Sequence, residues 1–338
     1  MLLAKRRKNL STSDQRTSLA MIALLLTLIT ITWMNPAYAA GQAVAAAEES
    51  RTAHKTIDID GVQIFYREAG PVTAPTILLL HGFPTSSQMF RNLIPALSDR
   101  FHLLAPDYPG FGNSAQPAME DFDYTFDNLA VVMQKFLSAK GIEKYSVYLM
   151  DYGAPIGLRL ASQNPQQIQS LIVQNGNAYV EGLQDFWDPI RAYWKERSAE
   201  NAEPLAGFIS PAGVQWQYTH GVRNENVISP DTWNVDLRHL TREGNAQIQL
   251  ALFYDYQNNV PYYPEWQAYF REYQPPTLIV WGKNDYIFPA AGAYPYQRDL
   301  KNIDFNLLDT GHFALEEDGA VIAGKIRRFL SRELAQAE

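Results

Sequence analysis

The chain has 338 residues, a formal net charge of −8, 46% hydrophobic and 12% aromatic residues, and no cysteine. It is too apolar for a disordered chain, and its acidic balance argues against nucleic acid as a partner, because phosphate contacts require a basic face. The lack of cysteine removes disulfides, thiolate metal sites and a cysteine nucleophile together.

The chain opens with Lys5, Arg6, Arg7, Lys8 and Arg16, an apolar run at 19–33 and a small-x-small triplet, Ala37-Tyr38-Ala39. That is the layout of a secretory signal peptide over 1–39, with a mature start near Ala40. The run is shorter than the roughly 20 residues a spanning helix prefers; an uncleaved membrane anchor is the alternative. Asn9 departs from a twin-arginine pattern, which places an aromatic there. Without 1–39, which holds five Lys/Arg and one Asp, the net charge becomes about −12. The expected location is exported, periplasmic or secreted, and a core of this size does without disulfides.

Residues 40–54 are Ala/Glu-rich and read as a flexible leader. Residues 55–68 alternate around Asp60-Gly61, the pattern of a β-hairpin. Short apolar runs follow at 76–80, 102–105, 146–150, 170–173, 277–281 and 304–308. Most are continuous, so both faces are expected to be buried, as in a parallel sheet. Helical patterns at 86–97, 125–139, 154–163 and 320–335 lie between or after them, and Lys140-Gly141 stops the second. Strands alternating with helices predict an α/β fold with a mostly parallel, doubly wound sheet. The interval 177–273 breaks the rhythm. It has no strand-like run, is rich in Trp, Tyr and Pro, and is far too long for an ordinary connection. It reads as a helical lid inserted into a core formed by 55–176 and 274–338.

Four loops at expected strand ends carry the chemistry. Asp151, in Leu149-Met150-Asp151-Tyr152-Gly153, stands between an apolar run and a helix, where a nucleophile elbow would place its apex. An N-cap is the alternative for an Asp at this point. Gly153 lets the turn close, whereas Leu149 departs from the small residue usual two positions before the apex. His81-Gly82-Phe83-Pro84 follows another run; the backbone N–H of Phe83, with that of Tyr152, would form an oxyanion hole. Asp285 follows the run at 277–281, and His312 follows the last. Ligands bind at this edge of such sheets.

The order of nucleophile, acid and base, with HGFPTSS at 81–87, DYPGFGNS at 107–114, MDYGAPIG at 150–157, WGKNDYIFP at 281–289 and DTGHF at 309–313, resembles the α/β-hydrolase superfamily. The branch it looks like is the one with an Asp nucleophile, the epoxide hydrolases and haloalkane dehalogenases. The resemblance spans about 57–330 and implies an α/β-hydrolase fold with an inserted helical lid.

The nucleophile type sets the reaction. Serine attacking a saturated carbon would leave an inert ether; a carboxylate leaves an alkyl ester that water can cleave. His312, oriented by Asp285, would deprotonate that water. No cofactor is implied. His54, His102, His220 and His239 show no ligand spacing, so no metal is expected. His81 reads as a structural part of the oxyanion turn. Asn175 occupies the region where some dehalogenases carry the acid, but it is an amide. The resemblance implies two lid tyrosines as leaving-group acids if the substrate is an epoxide. Tyr256, in Tyr256-Gln257-Asn258, matches with Gln replacing Arg, and Tyr193 lies in the early lid. Tyr152 stands where many dehalogenases place Trp, and Phe83 where some carry Asn. The expectation is a hydrophobic epoxide opened to a diol, with haloalkane dehalogenation as the alternative and a non-catalytic binding protein of the same fold behind both.

Overall fold

The structure is a computed structural model, and it describes residues 51–335. The proposed signal peptide at 1–39 and most of the proposed leader lie outside the described residues.

The sheet has eight strands: β1 (Ala53–Ile59), β2 (Val62–Ala69), β3 (Thr76–Leu80), β4 (His102–Pro106), β5 (Tyr145–Met150), β6 (Ile168–Gln174), β7 (Thr277–Gly282) and β8 (Ile303–Leu308). Their spatial order is β1-β2-β4-β3-β5-β6-β7-β8. Pairs β1–β2 and β2–β4 are antiparallel and the others parallel. The hairpin turns at Asp60 (φ 53°) and Gly61 (φ 85°), two positive-φ residues whose twist matches that of the strands. β1 starts at Ala53, inside the expected leader. Every residue of β3, β4 and β5 is buried, because helices cover both faces. β8 departs from that expectation: it is an edge strand, mostly half-buried.

Eleven α-helices occur among the described residues. The core contributes α1 (Leu93–Leu97), α2 (Phe126–Ala139) and α3 (Gly153–Gln163) before the insertion. The expected helix at 86–97 is broken into a 3-10 turn, Ser87–Phe90, and α1. The Ser87 N–H is diverted to the Asp107 carboxylate (2.7 Å), and Pro95 fits only the first turn of a helix. Thr125 caps α2 by accepting from the Asn128 N–H, and Gly141 (φ 67°) follows its end.

Between β6 and β7 the chain forms α4 (Asp188–Lys195), α5 (Ala199–Ala206), α6 (Pro211–Thr219), α7 (Pro230–Leu240), α8 (Asn245–Asp255) and α9 (Tyr263–Tyr273), with no strand. Polar ties hold these helices to the core. Arg242 and Asn245 donate to the Gly110 carbonyl, and Arg223 pairs with Asp318. Short α10 (Tyr296–Asp299) and long α11 (Ala314–Ala335) complete the fold. α11 starts six residues before the expected 320, immediately after His312-Phe313, and is kinked at Asp318, where Arg223 docks.

Candidate active site

Asp151 sits at the turn from β5 into α3 with φ 50°, a strained value for a non-glycine residue. Strain of this kind persists only where the surroundings enforce it. Here glycines make the turn possible. A Cβ on Gly82 would lie 2.3 Å from the Asp151 Cβ, and one on Gly153 would lie 2.3 Å from the Leu80 carbonyl oxygen. The departure at Leu149 has a compensation: a Cβ on Gly157 would lie 2.2 Å from Leu149 Cδ2, so Leu149 fills the space that glycine leaves.

The Asp151 carboxylate is divided in function. Its Oδ1 accepts from the backbone N–H of Phe83 (2.8 Å) and of Tyr152 (2.5 Å). Its Oδ2 lies 3.7 Å from His312 Nε2, a buried atom with no hydrogen-bond partner. Burial pushes the Asp151 carboxyl up to about 6, against the pull of His312 and the two N–H groups. His312 Nδ1 meets Asp285 Oδ2 at 2.8 Å. Burial pulls the His312 pKa down, but Asp285 and then Asp151 outweigh it, and the net shift is upward.

The loops bearing Asp285 and His312 are drawn together by glycine as well: a Cβ on Gly282 would lie 2.0 Å from the Gly311 carbonyl oxygen. Asp285 Oδ1 accepts from the Ile287 N–H (2.7 Å). Asn175, just past β6 at φ 45°, donates to Asp285 Oδ2 (2.8 Å) and accepts from the Gly282 N–H (2.9 Å). Its amide holds the Asp285 carboxylate in place, a contact not expected from the sequence. The signal was its place directly after a parallel strand. His81 is wholly buried, stacked on Tyr108 at 4.1 Å, with its pKa lowered by burial to about 3. It braces the turn as a neutral ring.

Above Asp151 is a small apolar cavity lined by Phe83, Tyr152, Trp187, Ile190, Phe253 and Ile287, among others. It has about 290 Å³ of unfilled space. The two lid tyrosines stand differently. Tyr193 is not brought to this cavity: its ring meets the edge of Tyr254 and its hydroxyl accepts from Arg197. That is a correction, and the cause is the turn of α4, which points Tyr193 toward α8. Tyr256 lies one layer behind the lining, 4.4 Å from Trp187 and 6.1 Å from Tyr152 by ring centroid. Its hydroxyl is buried beside that of Tyr263, so Tyr256, expected as an acid, is not brought to the cavity; the Tyr152 hydroxyl is buried with no hydrogen-bond partner, and Tyr152 does line the cavity. Burial first, with the Asp151 charge among the further causes, raises the pKa of both well above the usual phenol value, so both stay protonated. Trp187 does not offer its N–H to the cavity; it donates to the Ile287 carbonyl (2.8 Å). Among the described residues no cluster of three or more His, Asp or Glu is placed to hold a metal ion, and no helix is long and apolar enough to cross a membrane.

Comparison with known proteins agrees with this architecture. The family described as alpha/beta hydrolase fold matches residues 75–319. An uncharacterized hydrolase of Saccharomyces cerevisiae is 46% identical over 277 residues, covering 81% of this chain and 95% of the relative. A haloalkane dehalogenase of Mycolicibacterium paratuberculosis is 26% identical over 284 residues, 80% of this chain and 88% of the relative. In fold, the chain is similar to haloalkane dehalogenase DbeA of Bradyrhizobium elkani, with a TM-score of 0.72 at 21% identity over 85% of this chain and all of that one. It is similar also to epoxide hydrolase CorEH, with a TM-score of 0.68 at 20% identity over 83% of this chain and 99% of that one. The eight-stranded sheet, the inserted helices and the family match lead to one conclusion: this chain is an enzyme of the α/β-hydrolase family.

Proposed function

We propose that the protein hydrolyses a small hydrophobic epoxide to a diol through an ester on Asp151. The observation that carries this reading is the divided carboxylate, with Oδ1 held by two N–H groups and Oδ2 facing His312. Oδ2 attacks the epoxide carbon, the carbon–oxygen bond opens, and the ring oxygen takes a proton from a phenol. His312 then removes a proton from water, which attacks the ester carbonyl carbon. The Phe83 and Tyr152 N–H groups hold the resulting oxyanion on Oδ1 until it collapses; the bond from the carbonyl carbon to the diol oxygen breaks, the departing alkoxide takes the proton from His312 and leaves as the diol, and the acid proton left on Asp151 returns to the phenolate. Asp285 holds the His312 tautomer, and Asn175 holds Asp285.

The leaving group favours the epoxide over a halide. An alkoxide needs a proton, and the unpartnered phenol of Tyr152, which lines the cavity beside Asp151, is the group placed to give one, with the Tyr256 phenol one layer behind it. A halide needs N–H donors, and Trp187 has committed its own. We also propose that residues 1–39 direct export and are removed. N-terminal sequencing should then find a start near Ala40, and a membrane-bound protein that retains Met1 overturns the export reading.

Trapping tests the chemistry. His312→Gln, exposed to a panel of epoxides and haloalkanes and weighed intact, should gain the mass of the substrate on Asp151 and keep it. Full activity in Asp151→Ala removes Asp151 as the nucleophile. Turnover of an epoxide unchanged in both Tyr152→Phe and Tyr256→Phe removes the phenols as acids.

A further inference from the structure

The catalytic cavity has a neighbour that the chemistry above leaves unused. A second hollow, lined by Phe186, Pro204, Gly207, Phe208, Trp216 and Tyr286, is almost wholly apolar. It is the wider of the two, with about 610 Å³ of open space against about 290 Å³. It opens to solvent at Tyr286, which is 49% exposed. The two spaces share two side chains, Phe186 and Phe208, whose rings stack on each other at 4.7 Å. Trp216 lies parallel to Phe186 at 6.2 Å on the hollow's side. The backbone here is tied down. Gln217, which lines the catalytic cavity, donates from Nε2 to the Phe208 carbonyl (2.9 Å) and the Gly213 carbonyl (3.3 Å). A Cβ on Gly213 would lie 1.9 Å from the Gly207 carbonyl oxygen, so the turn holding Phe208 packs directly onto the start of α6.

We infer that this hollow is the outer half of the substrate site, taking the apolar tail of a molecule whose reactive carbon lies at Asp151, with Phe186 and Phe208 as the neck between the halves. The inference rests on the proposed function and extends it to substrate shape. The inner cavity is the smaller of the two and is walled by Phe83, Trp187, Ile190, Phe253 and Ile287, so it takes the reactive end. A substrate with more apolar surface must place it elsewhere, and the hollow that shares the neck is the adjoining space with matching chemistry. The expected substrate class is therefore a terminal epoxide on an unbranched or slender apolar chain. Neither half has a charged group for an ionic tail; Asp151 is the one ionisable carboxylate in the lining, and it is the nucleophile.

Gly207 provides the test. It lines the hollow, its Cβ position meets nothing within 4 Å, and its φ of −59° is helical, so a large side chain is tolerated there at the hollow's wall. The experiment uses His312→Gln in the full chain and measures the rate of adduct formation on Asp151 with 1,2-epoxypropane and 1,2-epoxyoctane. In His312→Gln alone, the longer epoxide should react faster, by up to about fourfold for each methylene that the hollow buries. Adding Gly207→Trp should slow 1,2-epoxyoctane at least tenfold and leave 1,2-epoxypropane within twofold. Gly207→Asp, which makes the hollow polar without filling it, should shift the same ratio in the same direction. Equal slowing of both epoxides would make the hollow an entrance and not a tail site, and overturns the inference. An unchanged ratio in both variants overturns it too. Absence of any adduct with either epoxide in His312→Gln alone is a different result: it removes the Asp151 ester, and the tail site falls with it.

Discussion

Replacing Asp151 by Asn should inactivate the protein and make it more stable at neutral pH. The side chain is almost isosteric, and its carbonyl oxygen can still accept from the Phe83 and Tyr152 N–H groups. What disappears is a buried charge. The carboxyl has its folded pKa raised from 3.8 to about 6, mainly by burial. In the unfolded chain it ionises near 3.8, so above that pH the unfolded state is favoured, and the cost to folding grows until pH passes about 6. A shift of about 2 units corresponds to about 3 kcal/mol, present in full above pH 6 and absent below about pH 4. Two local effects modify that figure. Asn tolerates the positive φ at this position well, which adds to the gain. His312 loses one of the charges that raise its pKa; a raised histidine stabilises the fold below its unfolded value of 6.5 and loses that contribution as pH rises through its folded value. The substitution weakens this contribution, mostly on the acid side. The expected net gain at pH 8 is about 1–3 kcal/mol, or roughly 2–6 °C in Tm, shrinking to zero or below at pH 4. Thermal unfolding of both proteins by circular dichroism at pH 4, 6 and 8 measures it. A variant no more stable than the parent at pH 8, or a gain that does not change with pH, refutes the account of Asp151 as a desolvated charge held for chemistry.

Asn175→Ala should lower turnover about tenfold or more while the fold stays intact, because Asp285 loses a donor and Gly282 an acceptor. Asn175→Asp should be worse, placing two carboxylates together, and an activity equal to the parent in both variants would exclude the positioning role. Gly157→Ala should destabilise by about 1–3 kcal/mol through overpacking against Leu149, and Leu149→Ala in the same chain should recover part of it. Denaturant unfolding of the single and double variants measures the coupling, and strict additivity would refute the contact.

Much of this protein is readable locally. The β-hairpin at Asp60-Gly61, the buried parallel strands and the cap at Thr125 follow from short patterns, since each depends on residues a few positions apart. The order of Asp151, Asp285 and His312 is readable for a related reason: each stands just after an apolar run, and a parallel sheet delivers all such loops to one edge. Helix ends were less legible. The interruption near Ser87 involves Asp107 from a later loop, and the kink of α11 at Asp318 has Arg223, from the inserted segment, docked on it.

By itself, then, the sequence determined the fold class, the inserted helical segment and the place of Asp151 between a strand and a helix, because periodicity and side-chain chemistry are written one residue at a time. Tertiary structure decided the rest. It put the Asn175 amide on Asp285, 110 positions away, and turned Tyr193 toward Tyr254 instead of Asp151. It also committed the Trp187 N–H to the Ile287 carbonyl, 100 positions away. It stacked Phe186 on Phe208 between two apolar spaces. These contacts join segments whose meeting depends on how lid helices pack over the sheet, and packing geometry is a property of pairs of surfaces that no single stretch of sequence contains.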